Sequence, residues 1–190
     1  MKYSFFALLG RMKHIIRWGL MRNSIPENLN EHTLDVAYIT HALVAMHNQD
    51  HPDAPLDCGR AVLYAMYHDC SEILTGDMPT PVKYRDPQLK AAYKAVEREA
   101  QEQLLSRLPE ALRSDFAPCF TPEGEYKRLV KAADKLSALI KCIEERKMGN
   151  SEFESAYDST LAALQQMELP EAERFLTDFL PSYSLTLDEL

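Results

Sequence analysis

The chain has 190 residues, 46% of them apolar, which is enough for one buried core and excludes a disordered composition. A net charge of −8 excludes polyanion binding by bulk composition. Few glycines and no alternating runs of Val, Ile and Thr disfavour a β-rich fold.

The predicted elements follow in chain order. Residues 4 to 16 read as an amphipathic helix through Phe5, Leu8, Leu9, Met12 and Ile16. The opening resembles a signal peptide only superficially, because its apolar run is short and lacks a small-residue cleavage site. Residues 1 to 22 hold Lys2, Arg11, Lys13, Arg17 and Arg22 without an acid. Such a basic lip is either a solvated helix face or a receiver for a small anion such as phosphate. After the loop NSIPENLN, Asn30 is the expected cap of a helix through EHTLDVAYITHALVAMH. Asp57 is the expected cap of a third helix, from Cys58 to near Gly76. GDMPTP follows as a loop, since its prolines exclude a continuing helix. Asp86 and Pro87 start a helix to about Arg107, and a short turn covers 109 to 116. Thr121 and Pro122 open a long helix ending near Gly149. Asn150 or Ser151 starts the next, and Pro170 starts a last short one before Pro181. With no repeat or linker, this is a single all-α domain over residues 1–190. Cys58, Cys70, Cys119 and Cys142 form no CxxC pair, which fits a reduced, cytoplasmic protein. No apolar segment reaches transmembrane length.

Three places carry chemistry. On a continuous third helix, at about 100° per residue, Asp69 lies about 100° from His68 and Glu72 about 40° from it. Glu72 would then project between two metal ligands; otherwise the group is a solvated helix end. His32 begins the second helix, while His41 faces the opposite side and His47 lies about 22 Å further along. Neither can join His32 at one ion. A lone histidine there is more often a cap or core residue than a ligand. Asp134 falls in the apolar stripe of Val130, Ala133, Ala138 and Ile140, where a carboxylate must be paired, protonated or bound to a cation. Lys131 and Lys135 are close in sequence but point away from the stripe. Two histidines and two aspartates on three helices suit a divalent ion.

The order His32, His68–Asp69, Asp134 resembles the HD-domain metal-dependent phosphohydrolases. RWGLMRN, EHTLDVA, AMYHDCSEILTGDMPTPVKY and KAADKLSALIKCIEE are similar to the bacterial 5′-deoxynucleotidases of the YfbR type, over nearly the whole chain. The resemblance implies an all-helical HD-domain homodimer that hydrolyses deoxyribonucleoside 5′-monophosphates and selects against ribonucleotides. It implies one divalent ion (Co, Mn, Fe, Zn or Mg) on His32, His68, Asp69 and Asp134. It implies that Arg17 orients the phosphate and Trp18 shapes the sugar pocket. Asp77, Met78, Pro79 and Thr80 would contact substrate, as would the ligands Asp69 and Asp134. Glu72 would take or relay a proton, with Glu72 and Asp77 both open as donor to the leaving 5′-oxygen. No nucleic-acid polymer and no membrane is implied as partner. Cys70 and Met78 depart from the expected Ala and Leu, and Cys70 reads as a buried small side chain. The alternatives are another HD nucleotide phosphohydrolase, or a catalytically idle HD module that binds nucleotides.

Overall fold

The computed structural model describes residues 3–83 and 85–190, with the backbone alone at Thr80 and Pro81. Lys2, Tyr84 and the Thr80 side chain named above therefore lie outside the described residues. The described elements are helical: α1 (Phe5–Leu9), α2 (Leu29–Asp50), α3 (Cys58–Tyr67), α4 (Glu72–Thr75) and α5 (Thr80–Lys83) come first. They are followed by α6 (Pro87–Leu105), α7 (Glu110–Phe116), α8 (Gly124–Lys147), α9 (Glu154–Gln165) and α10 (Pro170–Asp178), with short 3₁₀ turns between.

α2 is the central rod. It packs against α3 and α8, α9 lies on α8, and α10 closes back on α2. Val36, Leu43 and Val44 of α2 meet Ala61 and Ala65 of α3 and Leu129, Leu136 and Leu139 of α8 in the main core. Each such Leu contributes about 1.5–3 kcal/mol by leaving water. A second core joins Phe5 and Met12 to Leu29, Tyr67, Cys70, Leu104, Leu108 and Phe120. Cys70 is thus a buried side chain, as expected, and burial pushes its thiol up to about 12.

Four expectations are corrected. The first helix does not run from 4 to 16: α1 stops at Leu9, Met12–His14 is a 3₁₀ turn, and Ile16 is exposed beside a bridge to Asn28. The α2 cap is Asn28 rather than Asn30. Its side chain accepts from the Asn30 and Glu31 N–H groups, and Glu31 reaches back to the Asn28 N–H, which completes a capping box. The long helix begins at Gly124, with Pro122 outside it. Finally, the third helix does not continue to Gly76. The His68 ring Nδ1 donates to the Ala65 carbonyl at 2.7 Å, competing for an acceptor the α-helix would use. The backbone answers with i to i+3 bonds, Cys70 N–H to Tyr67 and Glu72 N–H to Asp69, and α4 restarts after the break. The angular relation of Glu72 to His68 and Asp69 on one helix therefore does not hold.

Candidate metal centre

His32 from the first turns of α2, His68 and Asp69 from the break after α3, and Asp134 from the middle of α8 converge. One ligand atom from each lies within 4.8 Å of all the others. Asp69 Oδ2 sits in the middle, 3.0 Å from His68 Nε2 and 3.6 Å from His32 Nε2. Asp134 Oδ1 is 3.2 Å from His32 Nε2. The imidazoles are held from behind. His32 Nδ1 pairs with the Ser137 hydroxyl at 3.0 Å, and His68 Nδ1 donates to Ala65 O, so both rings turn Nε2 inward. Both Nε2 atoms are buried, and although carboxylate oxygens approach them, neither makes a well-directed hydrogen bond among the described residues. Orphaned imidazole nitrogens facing two carboxylates are the donor set of a divalent ion, so these residues fit the expected metal. Burial opposes the charges of this group, but the histidines outweigh it and hold Asp69 well below its ordinary range and Asp134 below it. For His68 burial pulls down, while Asp69 and Asp134 push it up to about 9.

Asp134 is not the core residue its stripe suggested. Val130, Ala133 and Ile140 are buried, but the Asp134 side chain is 40% exposed. Here α8 leaves the core and forms the wall of a cleft of about 600 Å³, lined also by Arg17, Trp18, Asp77, Met78 and Pro79. Motifs far apart in sequence thus share one cavity. Ala156 and Thr160 of α9 close the far side. A larger groove of about 1010 Å³ around Arg60, Tyr64 and Tyr126 shares none of these residues.

Arg17 is no solvated basic face. Its side chain is 12% exposed, with Nε 3.2 Å from Glu27 and a terminal nitrogen 3.6 Å from Asp69. Burial works against its charge, but Asp69, Asp134, Glu27 and Asp77 more than offset this. Trp18 has φ 59°, a left-handed conformation that a bulky residue adopts only under tertiary constraint. Its indole Nε1 donates to Glu27 at 2.8 Å, its ring packs on Phe153, and its backbone N–H donates to Asp77. Glu72 is buried, and its Oε2 has no hydrogen-bond partner among the described residues. Burial first, then the charges of Asp69 and Asp77, push its carboxyl up to about 9. Asp77 is raised too, by burial.

The family profile described as 5′-deoxynucleotidase YfbR-like matches residues 4–183. A 5′-deoxynucleotidase of Vibrio parahaemolyticus is 47% identical over 189 residues, covering 98% of this chain and 97% of that protein. The chain belongs to the YfbR-like 5′-deoxynucleotidase family. A 5′-deoxynucleotidase of Yersinia pestis is 45% identical over 190 residues, covering 98% of this chain and 95% of that one. Among solved structures, an HD-domain phosphohydrolase of Listeria innocua superposes with TM-score 0.82 at 23% identity, over 95% of this chain and 88% of that one. A cyanophage S-2L HD phosphohydrolase, bound to dA and one catalytic Zn²⁺, superposes with TM-score 0.63 at 21% identity over 98% and 100% of the two chains. The expected all-α HD fold and the enzyme class, a phosphohydrolase of the 5′-deoxynucleotidase type, both stand.

Two residues of this YfbR-like centre escaped sequence reasoning. Glu27 ties Arg17 and Trp18 together, and its other oxygen lies 4.0 Å from His32 Nδ1. It sits in a stretch that reads only as a polar loop. Ser137, one turn beyond Asp134, was hidden as a small residue of the α8 core face.

Proposed function

We propose that this chain removes the 5′-phosphate of deoxyribonucleoside monophosphates, assisted by one divalent ion on His32, His68, Asp69 and Asp134. The observation that carries the proposal is the charge of the site. Asp69, Asp77, Asp134 and Glu27 all bear on the one guanidinium of Arg17. A phosphate dianion would be repelled there unless a cation balanced the acids. Bound by these four residues, a divalent ion would supply a Lewis acid for the phosphoryl oxygens and acidify an attacking water. Zn²⁺ leads the candidates, since the cyanophage enzyme of the same fold uses it.

Arg17, fixed by Glu27, clamps the phosphoryl oxygens and offsets the charge that builds on them. Asp77, Met78 and Pro79 line the sugar side of the cleft, and Thr80 is proposed there from family likeness. The net reaction moves hydroxide from water to phosphorus and a proton to the departing 5′-oxygen. Glu72 is the proposed donor of that proton, because burial keeps its carboxyl protonated at neutral pH. A divalent ion beside Asp69 offsets the second contribution to that pKa but leaves burial untouched. Glu72→Gln is expected to lower kcat by about 10²–10⁴-fold with little change in KM. In the parent enzyme kcat should decline as Glu72 ionises, above its ordinary 4.5 and below about 9. A pH–rate profile whose alkaline limb persists in the variant would remove Glu72 from this role.

Selectivity for the deoxy sugar is assigned to Trp18. Its indole is held by Glu27 and Phe153, so the wall cannot retreat from a 2′-hydroxyl. Trp18→Ala is expected to raise the ribo-to-deoxy ratio of kcat/KM by about 10-fold or more. Phosphate release from paired AMP and dAMP assays reads this directly, and an unchanged ratio places selectivity elsewhere. The proposal extends to a single HD domain acting in the cytoplasm as a homodimer, and sedimentation of the purified protein tests the dimer. Among the described residues no helix is long and apolar enough to cross a membrane.

A further inference from the structure

A second group of ligating side chains lies at the other end of α2. His47 and His51 are four residues apart, so they stand on one face of the helix end, as paired zinc-binding histidines do. Their rings stack with centroids 4.2 Å apart and planes 17° apart. The Glu171 carboxylate, in the first turn of α10, meets them. Its Oε1 is 2.7 Å from His47 Nδ1. One ligand atom from each of the three residues lies within 4.8 Å of the others. Two ligands on a tetrahedral zinc ion are about 3.3 Å apart, so small rotations close this triangle.

A plain histidine–carboxylate hydrogen bond leaves one observation unexplained. Glu171 is only 3% exposed, and its second oxygen, Oε2, is buried with no hydrogen-bond partner among the described residues. A buried carboxylate calls for a cation. The arginine one turn along α10 does not supply it, since Arg174 reaches Gln49 and Asp178. The backbone meanwhile orients the outer imidazole. His51 Nδ1 donates to the His47 carbonyl at 3.1 Å, which leaves Nε2 as a free lone pair. His51 is exposed, so an ion can enter from solvent and keep water as its fourth ligand.

We infer that His47, His51 and Glu171 form a second divalent-metal site of the zinc class, separate from the centre at Asp69. It pins the C-terminal end of α2 to the N-terminal turn of α10. Its cation would supply the partner that Glu171 Oε2 lacks and the countercharge that a neutral His47 does not give. Nothing in it faces the catalytic cleft, so it acts on stability and not on turnover.

The test is the zinc content of the parent protein against His51→Ala, both untagged, by calorimetric titration with Zn²⁺. The parent is expected to bind one equivalent more than the variant, or to bind that equivalent at least about 100-fold more tightly, since losing a ligand exceeds the effect of losing its outer-shell support. Zinc should also raise the melting temperature of the parent by more than that of the variant. The kcat of the variant at saturating metal should equal the parent's. His51→Gln, which retains a polar side chain of similar length, repeats the comparison should the alanine variant lose helix content. Equal stoichiometry and equal affinity in parent and variants would overturn the site. That result would leave the catalytic reading untouched, because His51 takes no part in it.

Discussion

Asp69→Ala is expected to lower phosphate release from dAMP by about 10³-fold or more, equivalent to about 4 kcal/mol of transition-state stabilisation. Asp69 joins both histidines of the centre to the arginine beside it. Its Oδ2 lies against His68 Nε2, His32 Nε2 and the Arg17 guanidinium, each within 3.6 Å. Removing it deletes a proposed ligand and the anion that draws Arg17 toward the centre. The fold should persist, because the main core is built from apolar side chains and Asp69 is not one of its members. Phosphate release is measured with the chelated enzyme reloaded with single divalent ions, alongside helix content by circular dichroism. A folded variant that keeps most of its activity would remove the metal centre from the mechanism. Tight nucleotide binding without turnover in the parent enzyme would instead make the chain a binding module.

Glu145→Ala should cost about 3–5 kcal/mol of stability, the scale expected when a buried ion pair loses one partner. Glu145 is fully buried and pairs with Lys141, which is 3% exposed. Its two oxygens also accept from the Ser24 and Ile25 backbone N–H groups and from the Asn150 amide. Lys141 in turn donates to the Ile25 carbonyl. The carboxylate thus nails the segment before α2 onto α8, and that segment carries Arg17, Trp18 and Glu27. Burial alone would raise its pKa, but Lys141 and the backbone donors win and hold it at about 2, against an ordinary 4.5. A carboxylate with a depressed pKa stabilises fully above its ordinary value, and that contribution fades as pH falls toward about 2. The difference corresponds to about 3 kcal/mol. Urea titrations at pH 7 and pH 3 should show the parent losing much of its advantage over Glu145→Gln at the lower pH. The KM for dAMP should rise in both Glu145 variants, because the Arg17 clamp loosens. Equal midpoints for parent and variant at pH 7 would contradict this reading.

Much of the candidate centre is legible in the sequence. His32, His68, Asp69 and Asp134 are ligand types at spacings that no single helix can unite, and their motif order resembles one family. Helix starts at Asp57, Asp86 and Pro170 followed from local chemistry, since a cap or a proline acts within one turn. Errors arose where a short-range side-chain bond, rather than the apolar period, sets the boundary. Asn28 and Asn30 are equally good caps by type, and the Glu31 pairing together with burial of Leu29 selects Asn28. The break after Tyr67 depends on a histidine side chain taking a backbone carbonyl, which periodicity does not encode.

The sequence by itself determined the all-α class, the candidate ligand types and their order along the chain, because caps, apolar periods and donor chemistry are local properties. Tertiary structure alone decided that Asp134 stands on a cleft wall, that Arg17 sits between Glu27 and Asp69 in the field of four carboxylates, and that Glu27 aims Arg17 and Trp18. It alone brought His47 and His51 to Glu171, more than a hundred residues away. Such facts come from the packing of α2 against α8 and α10. Burial, pKa and orphaned atoms depend on what surrounds a group in space, and neighbours in sequence do not specify it.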